Sequence, residues 1–149
     1  MPSSGETREH SALGAVRALA RASRLLERSS GELNLAHYRV LSAIASGDER
    51  ASRVARRLAL GRPAISAAVD ALTRRGLVVR GGVDADHRAT ALSLTPEGER
   101  LLAATEGEMI ARITALVART PDPERVLEAL SWLDTAIDEV MAERMAETK

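Results

Sequence analysis

Apolar residues return every three or four positions through most of this chain, and only between Leu77 and Leu94 does the pattern become strand-like. A polar tail over residues 1–7 precedes a first helix, Arg8 to Arg28, with Leu13, Val16, Leu19, Leu25 and Leu26 near one side and Ser29–Ser30–Gly31 ending it. A second helix, Asn34 to Ser46, carries Tyr38, Leu41, Ala43 and Ile44, with Asn34 as its cap. After a turn at Gly47–Asp48–Glu49, a short helix from Ala51 to Leu58 sets Val54, Ala55 and Leu58 against Arg53, Arg56 and Arg57. Ala59–Leu60–Gly61 then turns the chain into a helix from Arg62 to Arg75. Gly61 is its cap, Pro63 lies in the first turn where a missing N–H costs nothing, and Gly76 stops it in a left-handed conformation. In that helix Ile65, Val69 and Leu72 face inward, which leaves Ala64, Ser66, Ala67 and Asp70 outward.

Two strands follow, Leu77–Arg80 and Ala89–Leu94, joined by a tip from Gly81 to Arg88 in which Gly81–Gly82 begins the loop. A fifth helix starts at Thr95 as cap and Pro96 as first residue, and reaches about Arg119 through Leu101, Leu102, Met109, Ile113, Leu116 and Val117. Thr120–Pro121–Asp122–Pro123 breaks it, and a last helix runs from Glu124 to Glu147. Helix, turn, helix and hairpin in this order predict a mainly α protein with a small β-hairpin wing: a winged helix-turn-helix joined to a helical dimerisation region.

The last helix contributes more than length. Val126, Leu130, Leu133, Ile137 and Val140 alternate spacings of four and three, a packing seam, and Ala129, Trp132 and Ala136 form a second stripe beside it. Apolar surface on two sides predicts that this helix packs both on its own chain and on a second copy; the alternative is one broad face buried within a protomer.

Composition narrows the chemistry. At 149 residues the chain is one domain or one compact protomer. Tyr38 and Trp132 are its only aromatic residues, which favours close-packed helices over a β-sandwich. With no cysteine, disulfides, thiolate metal sites and thiol redox sensing are excluded. His10, His37 and His87 are dispersed, one per region, without metal-ligand spacing, so no metal and no cofactor is expected. Gly81–Gly82 lacks the lysine and helix of a phosphate loop, and no nucleophile elbow is present, so no catalytic residue and no enzyme activity are expected. No apolar run approaches the ~20 residues of a membrane span, and the beginning of the chain does not read as a signal peptide, so the expected location is the cytoplasm.

Formal net charge is zero, but its distribution is uneven. Between Arg50 and Thr90 stand nine arginines against three acidic residues, an excess of +6 that the remainder of the chain must cancel. A basic module on an acidic body suggests a polyanionic partner, and the excess coincides with the helix-turn-helix. The alternative, outweighed by that coincidence, is solvated faces that reflect a compositional preference for arginine, which supplies 20 of the 21 basic residues.

The wing carries a familial signature. Asp86-x-Arg88 followed by Leu94–Thr95-x-x-Gly98, behind Leu72-x-x-x-Gly76–Leu77–Val78 and Tyr38-x-Val40–Leu41, resembles the multiple-antibiotic-resistance regulator (MarR) family over nearly the whole chain. The resemblance implies a homodimeric transcriptional regulator, commonly a repressor, that binds a pseudo-palindromic duplex operator. Residues 1–32 would form a tail and dimerisation helix, 33–98 the DNA-binding winged unit, and 99–149 the C-terminal dimerisation helices. Leu13, Leu130, Leu133, Ile137 and Val140 are the expected dimerisation residues.

For DNA, the helix from Arg62 to Arg75 would enter the major groove, presenting Pro63, Ala64, Ser66 and Ala67, while Arg53, Arg56, Arg57, Arg62 and Arg74 are candidates near phosphates. Ala67 departs from the longer polar residue that relatives often carry, so direct readout is thin and DNA shape carries more weight. By resemblance, Arg88 enters the minor groove and Asp86 orients it, in keeping with the strong negative potential of a narrow groove. Many relatives are released by small phenolic or other lipophilic acids bound between the dimerisation helices and the winged unit, for which His10, Arg17, His37 and Arg39 are candidate contacts. A winged helix that binds another protein, its basic face incidental, is the competing expectation.

Overall fold

The computed structural model describes residues 4–29, 31–47, 50–81 and 91–147. Six helices and one hairpin follow in order: α1 (Ser4–Ser29), α2 (Leu35–Ala45), α3 (Ala51–Arg57), α4 (Arg62–Arg74), β1 (Val78–Gly81), β2 (Ala91–Leu94), α5 (Pro96–Val117) and α6 (Pro123–Glu147). The core lies where α2, α3, α4 and the hairpin meet the first turns of α5. Leu33, Val40, Leu41, Val54, Val69, Leu72 and Val78 are its fully enclosed members, and Leu101 and Leu102 close it from α5. Burial of these aliphatic side chains on one face of each short helix holds together elements that would be marginal alone.

Most ends form as their caps dictate. The Asn34 carboxamide accepts the His37 N–H at 2.7 Å, and the Thr95 hydroxyl accepts that of Gly98 at 3.0 Å. Asp122 adds a cap within the expected break, accepting the Arg125 N–H at 3.1 Å to start α6. Gly76, at φ +72°, ends α4 with the paired bonds of a Schellman motif, Gly76 N–H to the Thr73 carbonyl and Leu77 N–H to that of Leu72, both at 3.0 Å.

Several boundaries differ from the sequence-based expectation, most by one residue at a cap, and four have a physical reason. The first helix begins at Ser4 rather than Arg8, because a polar stretch continues a helix once nucleated, adding a backbone bond per residue. Leu77 belongs to the α4 cap and not to β1, since its N–H is spent on Leu72 and its carbonyl on Thr95. Gly81 is still in the ladder, opposite Ala91, instead of opening the loop. Finally, α5 ends at Val117: Arg119 and Thr120 donate to carbonyls three residues back, the tighter turn that often finishes a helix. The expected tip, with Asp86, His87 and Arg88, and the first two residues of the returning strand, Ala89 and Thr90, lie outside the described residues.

Outside that core, α1 and α6 bury little of their surface against the rest of the chain. Among the side chains described in α1, only Ala22, Ser23, Leu25 and Leu26 come partly out of solvent, and along α6 the expected seam is open from Leu130 to Val140, Leu133 at 41% and Ile137 at 51%, with Val126 at its start half-buried. Trp132 of the second stripe is open as well. A single broad face buried within one protomer is therefore not what α6 has. No helix among the described residues is long and apolar enough to cross a membrane.

Candidate nucleic-acid interface

The turn between α3 and α4 sets the geometry of the basic face. Leu60 donates to the Ala55 carbonyl at 2.9 Å and Ala59 to that of Arg56 at 3.1 Å, again a Schellman pattern, but the left-handed position is Ala59, at φ +52°. A Cβ in that region is disfavoured by roughly 1–2 kcal/mol. Ala59→Gly should thus stabilise the protein by about 0.5–1 kcal/mol after the extra freedom of glycine in the unfolded chain is subtracted. A thermal melt showing no gain, or a loss, would contradict this reading of the turn.

Beyond the turn, α4 buries Ile65, Val69 and Leu72 and leaves Pro63, Ala64, Ser66, Ala67 and Asp70 exposed, as the spacing predicts. Arg62 stands exposed in the first turn and Arg74 in the last, where a cation also favours the negative end of the helix. From α3 come Arg53, Arg56 and Arg57, all exposed, behind the buried Val54 and Ala55. The result is a helix with a small-residue surface, approachable by a bulky partner, bordered by cations.

Two further contacts shape this face, and neither was evident from spacing. Arg80 of β1 donates to the Asp70 carboxylate at 2.5 Å, so the wing strand is tied to the outward face of α4. Arg75, just past α4, donates to the Glu32 carbonyl at 3.2 Å and anchors the end of the helix to the segment before α2. The strand register that brings Arg80 opposite Leu92 was legible in outline; which helical residue the guanidinium would meet was not.

The four candidate effector contacts are divided between α1 and α2. His10 and Arg17 are exposed on α1, seven residues or about 10 Å apart along its axis. His37 and Arg39 lie on α2 two residues apart, hence on different sides of it. Arg17 borders a shallow depression whose other members, Ala20, Arg21 and Arg24, belong to the same helix. A second depression, between α1 and α5, is lined by Arg28, Glu108, Ala111, Arg112 and Ala115 and takes in none of the four.

His37 is half-buried and its Nδ1 is enclosed without a partner among the described residues. Burial and then the neighbouring Arg75 guanidinium push its pKa down, so the ring is neutral at pH 7. Burial and the Glu106 carboxylate raise the Tyr38 hydroxyl, which bonds to Ser42 and Glu106 at the edge of the core. No group of three or more potential metal-ligating side chains is found among the described residues.

Residues 32–89 match the model of the MarR family. A comparison of sequence alone finds no match among curated proteins. Among solved structures, the chain is similar to the transcriptional repressor CouR bound to a 23-mer DNA duplex, with 26% identity and a TM-score of 0.75 over 91% of this chain and 98% of that one. It is also similar to the PcaV transcriptional regulator from Streptomyces coelicolor in complex with its natural ligand, at 26% identity and a TM-score of 0.64, covering 82% and 89%. A MarR-family regulator from Rhodococcus sp. RHA1, 24% identical over 87% and 94%, has the same fold with a TM-score of 0.73.

Proposed function

We propose that this chain, whose residues 32–89 match the model of the MarR family, acts as a homodimeric transcriptional repressor of a pseudo-palindromic operator, released by a small-molecule acid. The single observation that carries the DNA part is the α4 surface: small exposed residues bordered by Arg53, Arg57, Arg62 and Arg74 on a helix-turn-helix. Close backbone approach and guanidinium contacts to phosphate are what major-groove entry requires. Asp86 and Arg88 extend this contact into the adjacent minor groove. The similarity to CouR on a duplex and to PcaV with a ligand supports both halves of the reading.

Exposure supports a division of labour along the chain. Residues 33–98 bind DNA, while Leu13 in 1–32 and Leu130, Leu133, Ile137 and Val140 in 99–149 join two protomers, covering the faces that one protomer leaves open. His10 and Arg17 on α1 and His37 and Arg39 on α2 would contact the effector between the dimerisation helices and the winged unit. The family is one of regulators and not of enzymes, so no turnover is assigned.

Selection of bound fragments from a random duplex pool tests this proposal. Two half-sites about one helical turn apart, roughly 34–36 Å, are expected for a two-fold dimer. A pool that returns no shared sequence would favour the alternative of a winged helix that binds another protein.

A further inference from the structure

Few side chains on the outward face of α4 can discriminate one base from another. Ala64 and Ala67 end at methyl groups, and the Thr73 hydroxyl is turned back onto the Val69 carbonyl at 2.8 Å. Ser66 can donate or accept and so tells little between bases. Asp70 is different: an acid in the third turn of a helix otherwise bordered by arginines, one turn beyond Ser66 on the same side.

A bare carboxylate there would be repelled by phosphates on both sides of the groove. Asp70 is not bare, because Arg80 donates to its Oδ1 at 2.5 Å while the two side chains remain 50% and 42% exposed. An ion pair that open to solvent does little for stability, so the fold itself has small need of it.

We infer that Asp70, held by Arg80, is the residue through which α4 selects a cytosine in the major groove. The inference rests on α4 being the groove-entering helix. An ionised carboxylate only accepts hydrogen bonds. Cytosine offers it an N4 amino donor, whereas adenine sets its amino group beside the N7 acceptor, which opposes a second acceptor. Arg80 cancels the charge and occupies Oδ1, leaving Oδ2 to accept from the base. One helical turn separates Ser66 from Asp70, about 6 Å along the axis. At about 3.4 Å per base step, the cytosine falls just under two steps from the pair nearest Ser66.

Selection of duplexes by the wild type, Asp70→Ala, the nearly isosteric Asp70→Asn and Arg80→Ala tests it, with a thermal melt of each protein. The wild type should return a cytosine column in each half-site, with a preference of about tenfold over other bases. Asp70→Ala and Asp70→Asn should erase that cytosine preference while the remaining columns stand, and Arg80→Ala should weaken it in part. All melts should stay near the wild type. An unchanged column in both Asp70 variants overturns the inference, as does tighter binding with unchanged preference, the mark of an acid that merely repels DNA. Those two results leave the proposed function standing; a wild type that selects no sequence sinks both.

Discussion

Gly98→Ala should destabilise this protein by about 3 kcal/mol or more, the upper range for forcing an atom into a packed site. A Cβ at Gly98 would lie 2.1 Å from the Leu77 carbonyl oxygen and 3.0 Å from its carbon. Neither side can easily retreat. The Leu77 carbonyl accepts the Thr95 N–H at 3.0 Å, the Thr95 hydroxyl donates to the Gly76 carbonyl at 2.6 Å, and the same hydroxyl caps Gly98. This clasp fastens the end of α4 and the start of the wing to the first turn of α5. Against a total stability of about 5–15 kcal/mol, a loss of that size should lower the melting temperature by about 10 °C. Gly107→Ala is the control: it is in the same helix, with nothing within 4 Å of an added Cβ, and should stabilise by about 0.5–1 kcal/mol. A Gly98→Ala melt within a few degrees of the wild type would show that the clasp yields.

Leu133→Glu and Ile137→Glu should each abolish dimerisation, and operator binding with it. Both positions are substantially exposed in a single protomer, so a carboxylate there costs a monomer almost nothing. Within a dry interhelical seam the same charge costs several kcal/mol unless the helices part. The contrast makes the test sharp: sedimentation should find monomers whose winged unit is still folded by circular dichroism. An intact dimer for both variants would place the interface elsewhere, and a wild type already monomeric at micromolar concentration would remove it.

Much of this architecture was legible from residues alone, for identifiable reasons. Gly76 and Thr95 are local signals whose bonds are made within a few residues or across one short hairpin, and both ends formed where expected. The outward set on α4 followed from period alone, because Ile65, Val69 and Leu72 leave no choice of face. What stayed hidden depends on tertiary geometry. No propensity announces that Ala59 adopts φ +52°, since the left-handed turn is imposed by packing α3 against α4. Gly98 was visible as part of a motif, but its purpose, an approach to the Leu77 backbone that no side chain permits, required the fold. The Arg80–Asp70 pair joins residues ten apart through a helix cap and a strand, a path that pattern cannot trace.

The candidate site divides in the same way. Exposed arginines flanking α4 could be named from spacing, because burial of one helix face exposes the other. Effector contacts could not: His10 and Arg17 on α1 and His37 and Arg39 on α2 are polar groups on helices whose periodicity says nothing of a cavity, and Arg17 borders a shallow depression formed along α1 alone. A cavity formed between elements distant in sequence leaves no local periodic signal.

The central claim, that the arginine-bordered α4 face engages duplex DNA through its phosphates, is tested most directly by the salt dependence of affinity for the selected duplex. Each phosphate neutralised should steepen the fall by about 0.9 log unit of affinity per log unit of salt. With Arg53, Arg57, Arg62 and Arg74 contributing from two protomers, binding should weaken by orders of magnitude between about 50 and 200 mM salt. Affinity that stays flat across that range would contradict the account.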